Sequence, residues 1–271
     1  MRKITMGIAL LGLVAMIAID SMAAKKRTPP KDIPTIMAER GQLLVQEEFE
    51  GQALPEQWKS AVGKWEIEDG ALKGTEQAAD EHAAVSRIEV DCTDVIVQFS
   101  FMYKGAKGWS LSFNNKDGHV CRASFNPNGF SVNKDRPNKE SAEQGATIDT
   151  VKFEFKEGEW YDICVEILGK GMVASIGGDK KMMFVAFGEN DGVAKPKTNF
   201  GFTVTPVDQS VYYDDVRVWK AEPNKKWDKT KKNLNRSRPS WRRRVCAEVR
   251  SFPRKRESRP STSRGFPRTR E

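Results

Sequence analysis

Hydrolysis of a glycoside needs two carboxyl groups flanking one bond, about 5 to 9 Å apart. Glu154 and Glu166 occupy outward-facing parities of neighbouring predicted strands, so they read either as such a pair or as solvated strand faces. The paired-carboxylate strand Glu-x-Asp-x-x-Glu does not occur, no Ser or Cys sits in a nucleophile motif, and there is no Gly-rich phosphate loop. His82 and His119 are the only imidazoles and neither has a ligand-spaced companion, so no zinc site is expected. The catalytic residues therefore stay unassigned and no cofactor is required. A different chemistry is open to the polar side chains that alternate with apolar ones in the centre of the chain. Gln98, Ser112, Asn114, Arg122 and Ser124, with Ser110 among them, form a face able to exchange hydrogen bonds with sugar hydroxyls, or simply with water. Asp214 shares the parity of Val216 and Val218, which predicts an inward carboxylate that must be paired, hydrogen-bonded or bound to an ion.

These groups are carried by strands. Val95, Val97, Phe99, Phe101 and Tyr103 alternate with polar residues, as do Trp109, Leu111 and Phe113, then Cys121, Ala123 and Phe125. Asn115-Lys116-Asp117-Gly118 and Asn126-Pro127-Asn128-Gly129 are turn sequences between them. Val151, Phe153 and Phe155 predict a further strand leading into a hairpin from Trp160 to Ile176, which reverses at Gly169-Lys170-Gly171. In that hairpin Tyr161, Ile163, Val165 and Ile167 face one way and Asp162, Cys164 and Glu166 the other, as in an antiparallel sheet with one wet face. Turn signals recur about every ten residues and no long helix is predicted. The fold expected is all-β, an antiparallel two-sheet jelly-roll sandwich over residues 42–222. The tryptophans at strand positions, Trp65, Trp109, Trp160 and Trp219, suit a core better than a sugar platform.

Charge divides the chain. Between Thr35 and Glu222 there are 21 Lys and Arg against 31 Asp and Glu, a net of −10, whereas Pro223 to Glu271 holds 18 against 4, a net of +14. The whole-chain charge of +8 thus belongs to the tail, and the acidic body gives no support to nucleic-acid binding by the folded domain. Met1-Arg2-Lys3, the apolar run Ile4 to Ile19 and the small residues Ser21-Met22-Ala23 form a signal-peptide pattern over residues 1–23. Export to the periplasm or the medium is expected, with membrane contact only through this segment if it is uncleaved. Residues 24–41, with Pro29, Pro30 and Pro34, read as a linker, and residues 223–271 as a disordered basic tail. Ser251 to Arg259 resembles translated bacterial intergenic repeats, which points to an original stop near residue 235. Three cysteines fall in predicted strands; as an odd set they suit buried free thiols, although a Cys92–Cys121 or Cys121–Cys164 bridge is left open.

Three stretches together resemble one superfamily. Glu48-Phe49-Glu50-Gly51 with Trp58 and Trp65 to Leu72 is similar to the opening strands of concanavalin A-like jelly rolls of the laminin G and glucanase type. The Trp160–Ile176 hairpin resembles a pair in their second half, and Val211 to Trp219 their last strand, which lies beside the first. Within the superfamily the chain looks closest to bacterial exported domains named after 3-keto-disaccharide hydrolases. The resemblance implies a carbohydrate or cell-envelope glycan as partner and 3-keto-glycoside hydrolysis as an activity. With no catalytic residue assigned, the chain reads first as a non-catalytic module that binds through the polar face around Arg122, with that hydrolysis or a structural envelope role as alternatives. It also implies a structural calcium near the first and last strands, for which Asp214 with Glu48 or Glu50 would be the ligands; the other reading has Asp214 accepting backbone N–H bonds.

Overall fold

The computed structural model describes residue 30 and residues 32–177 and 183–234. The signal-peptide pattern and the chain beyond residue 234 lie outside the described residues. The first half of the body contains β1 (Ala38–Glu47), β2 (Trp58–Val62), β3 (Lys64–Glu68), β4 (Ala71–Thr75), β5 (Ala84–Glu89), β6 (Val95–Lys104) and β7 (Gly108–Asn115). The second half adds β8 (Gly118–Asn126), β9 (Gly129–Lys134), β10 (Ala146–Lys152), β11 (Tyr161–Leu168), β12 (Gly171–Ile176), β13 (Phe184–Glu189), β14 (Asn199–Thr205) and β15 (Ser210–Pro223). One sheet runs β13-β12-β11-β6-β15-β4-β3, with β1 also paired to β15; the other runs β10-β9-β8-β7-β14-β5-β2. All the pairings are antiparallel. This is the expected antiparallel two-sheet jelly-roll sandwich, with the last strand against the first from Ala38↔Pro223 to Glu47↔Val216.

Period-2 alternation produces the core. Val95, Val97, Phe99, Phe101 and Tyr103 of β6 meet Trp109, Leu111 and Phe113 of β7 and Phe200, Phe202 and Val204 of β14 in one buried cluster. Phe202 lies at its centre, stacked on Tyr213 with ring centroids 4.0 Å apart and planes 13° apart, and 5.7 Å from Trp58. The tight turns follow their residues: Asp69 and Gly70 both adopt positive φ between β3 and β4, which matches the twist of a two-residue hairpin.

The body extends further at both ends than residues 42–222. Ile33 and Met37, inside the stretch read as linker, are each 1% exposed and lie across the outer face of the eight-stranded sheet. That face is not wet. Its outward residues Ile96, Cys164, Val173 and Phe187 are apolar and need cover, which residues 33–38 supply together with a short helix over 227–234. Trp227 of this helix meets Phe187 edge-on at 5.0 Å, so residues 223–234 are ordered structure rather than free tail.

Cys92, Cys121 and Cys164 are free and buried. Cys121 belongs to the core between the sheets, while Cys164 packs with Ile33, Ala38 and Trp219 on the far side of the eight-stranded sheet, which rules out a bridge between those two. Burial pushes the Cys121 thiol up to about 12 and the thiols of Cys92 and Cys164 well above their usual value. Because the thiolate is the reactive form, a Cys246→Ser variant is expected to show no reaction with an aromatic disulfide reagent until it is unfolded. Release of three thiols only on addition of denaturant is the readout.

Candidate functional site

The outward face of the seven-stranded sheet is polar across four strands. Register places Ser131, Ser124, Ser110 and Thr203 in one row and Asn133, Arg122, Ser112, Gly201 and Arg87 in the next. Ser110 Oγ lies 2.6 Å from Thr203 Oγ1 and 3.1 Å from Ser112 Oγ, and the Asn133 amide donates to Ser124 and Ser131 at 3.2 and 3.0 Å. Small polar residues suit this position: each satisfies its neighbour, and none is large enough to fill the space above the sheet. Arg122 donates from Nε to both oxygens of Asp135 at 2.8 and 2.7 Å, so its charge is matched and its Nη groups are the donors left for a partner.

Asn114, Ser112, Arg122 and Ser124 thus share this face as expected. Gln98 does not. It lies on β6 in the other sheet, fully buried, where its Oε1 accepts from Ile33 N–H at 2.9 Å and from Arg40 Nη2 at 3.0 Å. Parity on one strand says which residues share a face but not which sheet that strand joins.

At one end of the polar face β7, β8 and β14 open into a cleft of about 550 Å³. Its floor is a chain of polar contacts. His119 Nδ1 lies 2.7 Å from Asn114 Oδ1, and Asn114 Nδ2 donates to Asn199 Oδ1 at 3.0 Å. Because the Asn114 oxygen can only accept, His119 donates from Nδ1, and in the neutral ring Nε2 carries the lone pair. Burial first, and Arg122 second, push the His119 pKa down, which favours that neutral ring. Arg87 from β5 and Arg136 and Lys139 from the loop after β9 complete the lining. The loop is fixed against the sheet: His119 N–H donates to Pro137 O at 2.9 Å, and Arg136 donates to the carbonyls of Lys139 and Ser141. Gly118 permits the approach, since its φ is +121° and a Cβ there would meet Pro137 O at 2.1 Å. His119, Arg87, Arg136 and Asn199 carry no local motif; only the parity of Asn199 against Phe200, and the polar composition of residues 133–145, pointed outward.

The carboxylate pair does not assemble. The strand holding Val151 ends at Lys152, and Glu154 follows it on an exposed crossing from the seven-stranded to the eight-stranded sheet. Glu166 is fully buried on β11, its oxygens accepting the N–H groups of Ile36, Met37 and Ala38 at 2.8, 2.8 and 2.7 Å. Adjacency in sequence does not make these strands neighbours in space, because the chain changes sheets between them.

Asp214 does not point inward either. Tyr213 and Val216 both enter the core, and the extra residue between them makes a β-bulge opposite Ser100 and Gln98, with Asp215 at φ 52°. The bulge resets the parity and turns Asp214 to the outer face, where its Oδ1 accepts the Asp215 N–H at 2.7 Å. Among the described residues no three His, Cys, Asp or Glu side chains form a group that could hold a metal ion.

No protein-family model matches the chain, and no curated protein matches its sequence. Similarity to solved structures is extensive but lies in the fold. The CBM2 module of the evolved Dit of Lactobacillus casei BL23 phage J-1 matches with a TM-score of 0.52 and 8% identity, over 68% of this chain and 98% of that one. A protein of unknown function with a galectin-like fold from Bacillus subtilis matches at 0.51 and 12% identity, over 69% and 100%. SCLam, a non-specific endo-β-1,3(4)-glucanase of family GH16, matches at 0.50 and 12% identity, over 70% and 94%.

Proposed function

We propose that this protein is an exported, non-catalytic carbohydrate-binding module whose glycan lies on the outward face of the seven-stranded sheet and in the cleft at its end. The observation that carries the reading is the cleft itself, floored by His119, Asn114 and Asn199, rimmed by Arg87 and Arg136, and lined by no carboxylate among the described residues. Amides, hydroxyls and a neutral imidazole offer donors and acceptors at hydrogen-bond spacing for the vicinal hydroxyls of a sugar ring. The absence of an Asp or Glu from the lining favours binding over glycoside hydrolysis, which draws on two carboxyls. The carbohydrate-binding module among the fold relatives supports the same reading, as the glucanase supports the alternative, a 3-keto-glycoside hydrolase. The signal-peptide pattern of residues 1–23 supports export.

A glycan array probed with the purified chain tests the proposal. The blocking variant Ser124→Trp sets a large side chain on the open face without touching the core, and it is expected to weaken binding at least tenfold while the melting curve stays unchanged. Arg122→Ala is the poorer choice, because it strips Asp135, only 9% exposed, of its partner. Binding unaffected by Ser124→Trp would move the site off this face, and turnover of a 3-keto-glycoside would replace the module with the enzyme.

A further inference from the structure

We propose that the ligand of the cleft is an anionic saccharide, a sugar bearing a carboxylate or a sulfate ester, seated between Arg87, Arg136 and Lys139; this rests on the carbohydrate-binding reading of the same cleft. The charge balance of the cleft is the observation. Among the described residues three cations line it and no Asp or Glu does, on a body whose net charge from Thr35 to Glu222 is −10. Among the described residues none of the three is held by a carboxylate. Arg136 is fixed through Nε and Nη2 by the backbone carbonyls of Lys139 and Ser141, which leave its charge unmatched. Arg87 Nε is buried with no hydrogen-bond partner among the described residues, so this guanidinium too is uncompensated. Arg122 shows the contrast: lying on the same face just outside the cleft, it is paired with Asp135 at 2.7 Å. Glu89, Asp117 and Glu140 are near the lining residues in sequence but do not line the cleft.

Physically, two guanidinium groups and an ammonium around one polar pocket place their field where an oxyanion would enter, and charge-assisted bonds to such a group are the strong ones. Arg87 is flanked across the sheet by Gly201 on β14 and Lys59 on β2, so no side chain from β14 stands between it and the open face. A planar carboxylate or a sulfate would take the Arg87 fork while the Asn114, Asn199 and His119 floor receives the ring hydroxyls.

An array carrying neutral, uronate-bearing and sulfated glycans, read with the full chain at 0.15 M salt, is followed by titration with trigalacturonate and with its methyl ester. The expected result is acidic ligand bound at least tenfold tighter than the ester, and a loss of at least tenfold in both Arg87→Gln and Lys139→Gln with unchanged melting. Both positions lie outside the basic tail, so their effect separates the cleft from polyanion binding by residues 223–271. Retention of uronates alone assigns a carboxylate, and of sulfated glycans alone a sulfate ester; either supports the inference. Equal binding of acid and ester, selection of neutral glycans, or acidic binding indifferent to both variants overturns it and leaves carbohydrate binding standing. No binding to any glycan overturns both.

Discussion

Glu166→Ala is expected to unfold the protein at a temperature on the order of 10 °C below the wild type, a loss of about 3 kcal/mol. The carboxylate is the acceptor for three consecutive backbone N–H groups, those of Ile36, Met37 and Ala38, across more than a hundred residues of sequence. Removing it leaves three buried donors without partners, each costing about 1 to 3 kcal/mol, and part of that cost is recovered as the segment lifts into water. Glu166→Gln should restore little, because an amide nitrogen then faces N–H donors. The specific signature is rapid hydrogen exchange at Ile36, Met37 and Ala38 while the strands of the seven-stranded sheet stay protected. Normal protection at those three amides would show that the segment is held by other means. Burial raises the Glu166 pKa above its ordinary 4.5, outweighing the three N–H bonds and Arg40 that pull it down. A raised carboxyl contributes most below its unfolded value. The stability gap between wild type and Glu166→Gln should therefore be widest below pH 4.5, narrow as the pH rises through the folded value, and stay constant above it. Urea melts of both proteins between pH 4 and 8 read this directly.

The second large effect belongs to Phe202. It is fully buried and touches Tyr213, Trp58, Phe99 and Phe200, at centroid distances of 4.0, 5.7, 5.2 and 6.5 Å. Truncation to Ala removes the ring around which both sheets pack, with a transfer loss plus a cavity that the flat strands cannot close. About 4 kcal/mol should be lost, with a fall in Tm of roughly 12 °C. Phe202→Leu, which keeps most of the volume, should cost less than half of that. Equilibrium urea unfolding followed by tryptophan fluorescence measures both, and a loss under about 1 kcal/mol for the alanine variant would contradict the packing.

What could be read from residues alone was whatever repeats every second position. The alternation of Val95 to Tyr103 and of Trp109 to Phe113, and the turn at Asp69-Gly70, were legible because side-chain direction in a strand is local. Four things were not. Gln98 and Ser112 have the same kind of parity yet stand on opposite sides of the sandwich, because sheet membership depends on crossovers that leave no trace in alternation. Asp214 was misdirected by one bulged residue, which inverts every inference downstream of it. Ile33, Ile36 and Met37 were lost among prolines and lysines, although three apolar residues in five positions are more than a solvated linker needs. The cleft was least legible, since β5, β7, β8 and β14 each give it one or two residues and the loop after β9 gives four. Ser112, Asn114, Arg122 and Ser124 nevertheless share one face as parity predicts, because β7 and β8 are a hairpin and parity carries across a tight turn.

Residues 33–38 and the helix over 227–234 cover the same outer face, the one turned away from the cleft. Both chain ends of the described body therefore emerge on its back. A surface or neighbouring domain joined at either end would hold the module by that back, and the basin of Asn114, His119 and Arg87 would look outward, unobstructed by whatever does the holding.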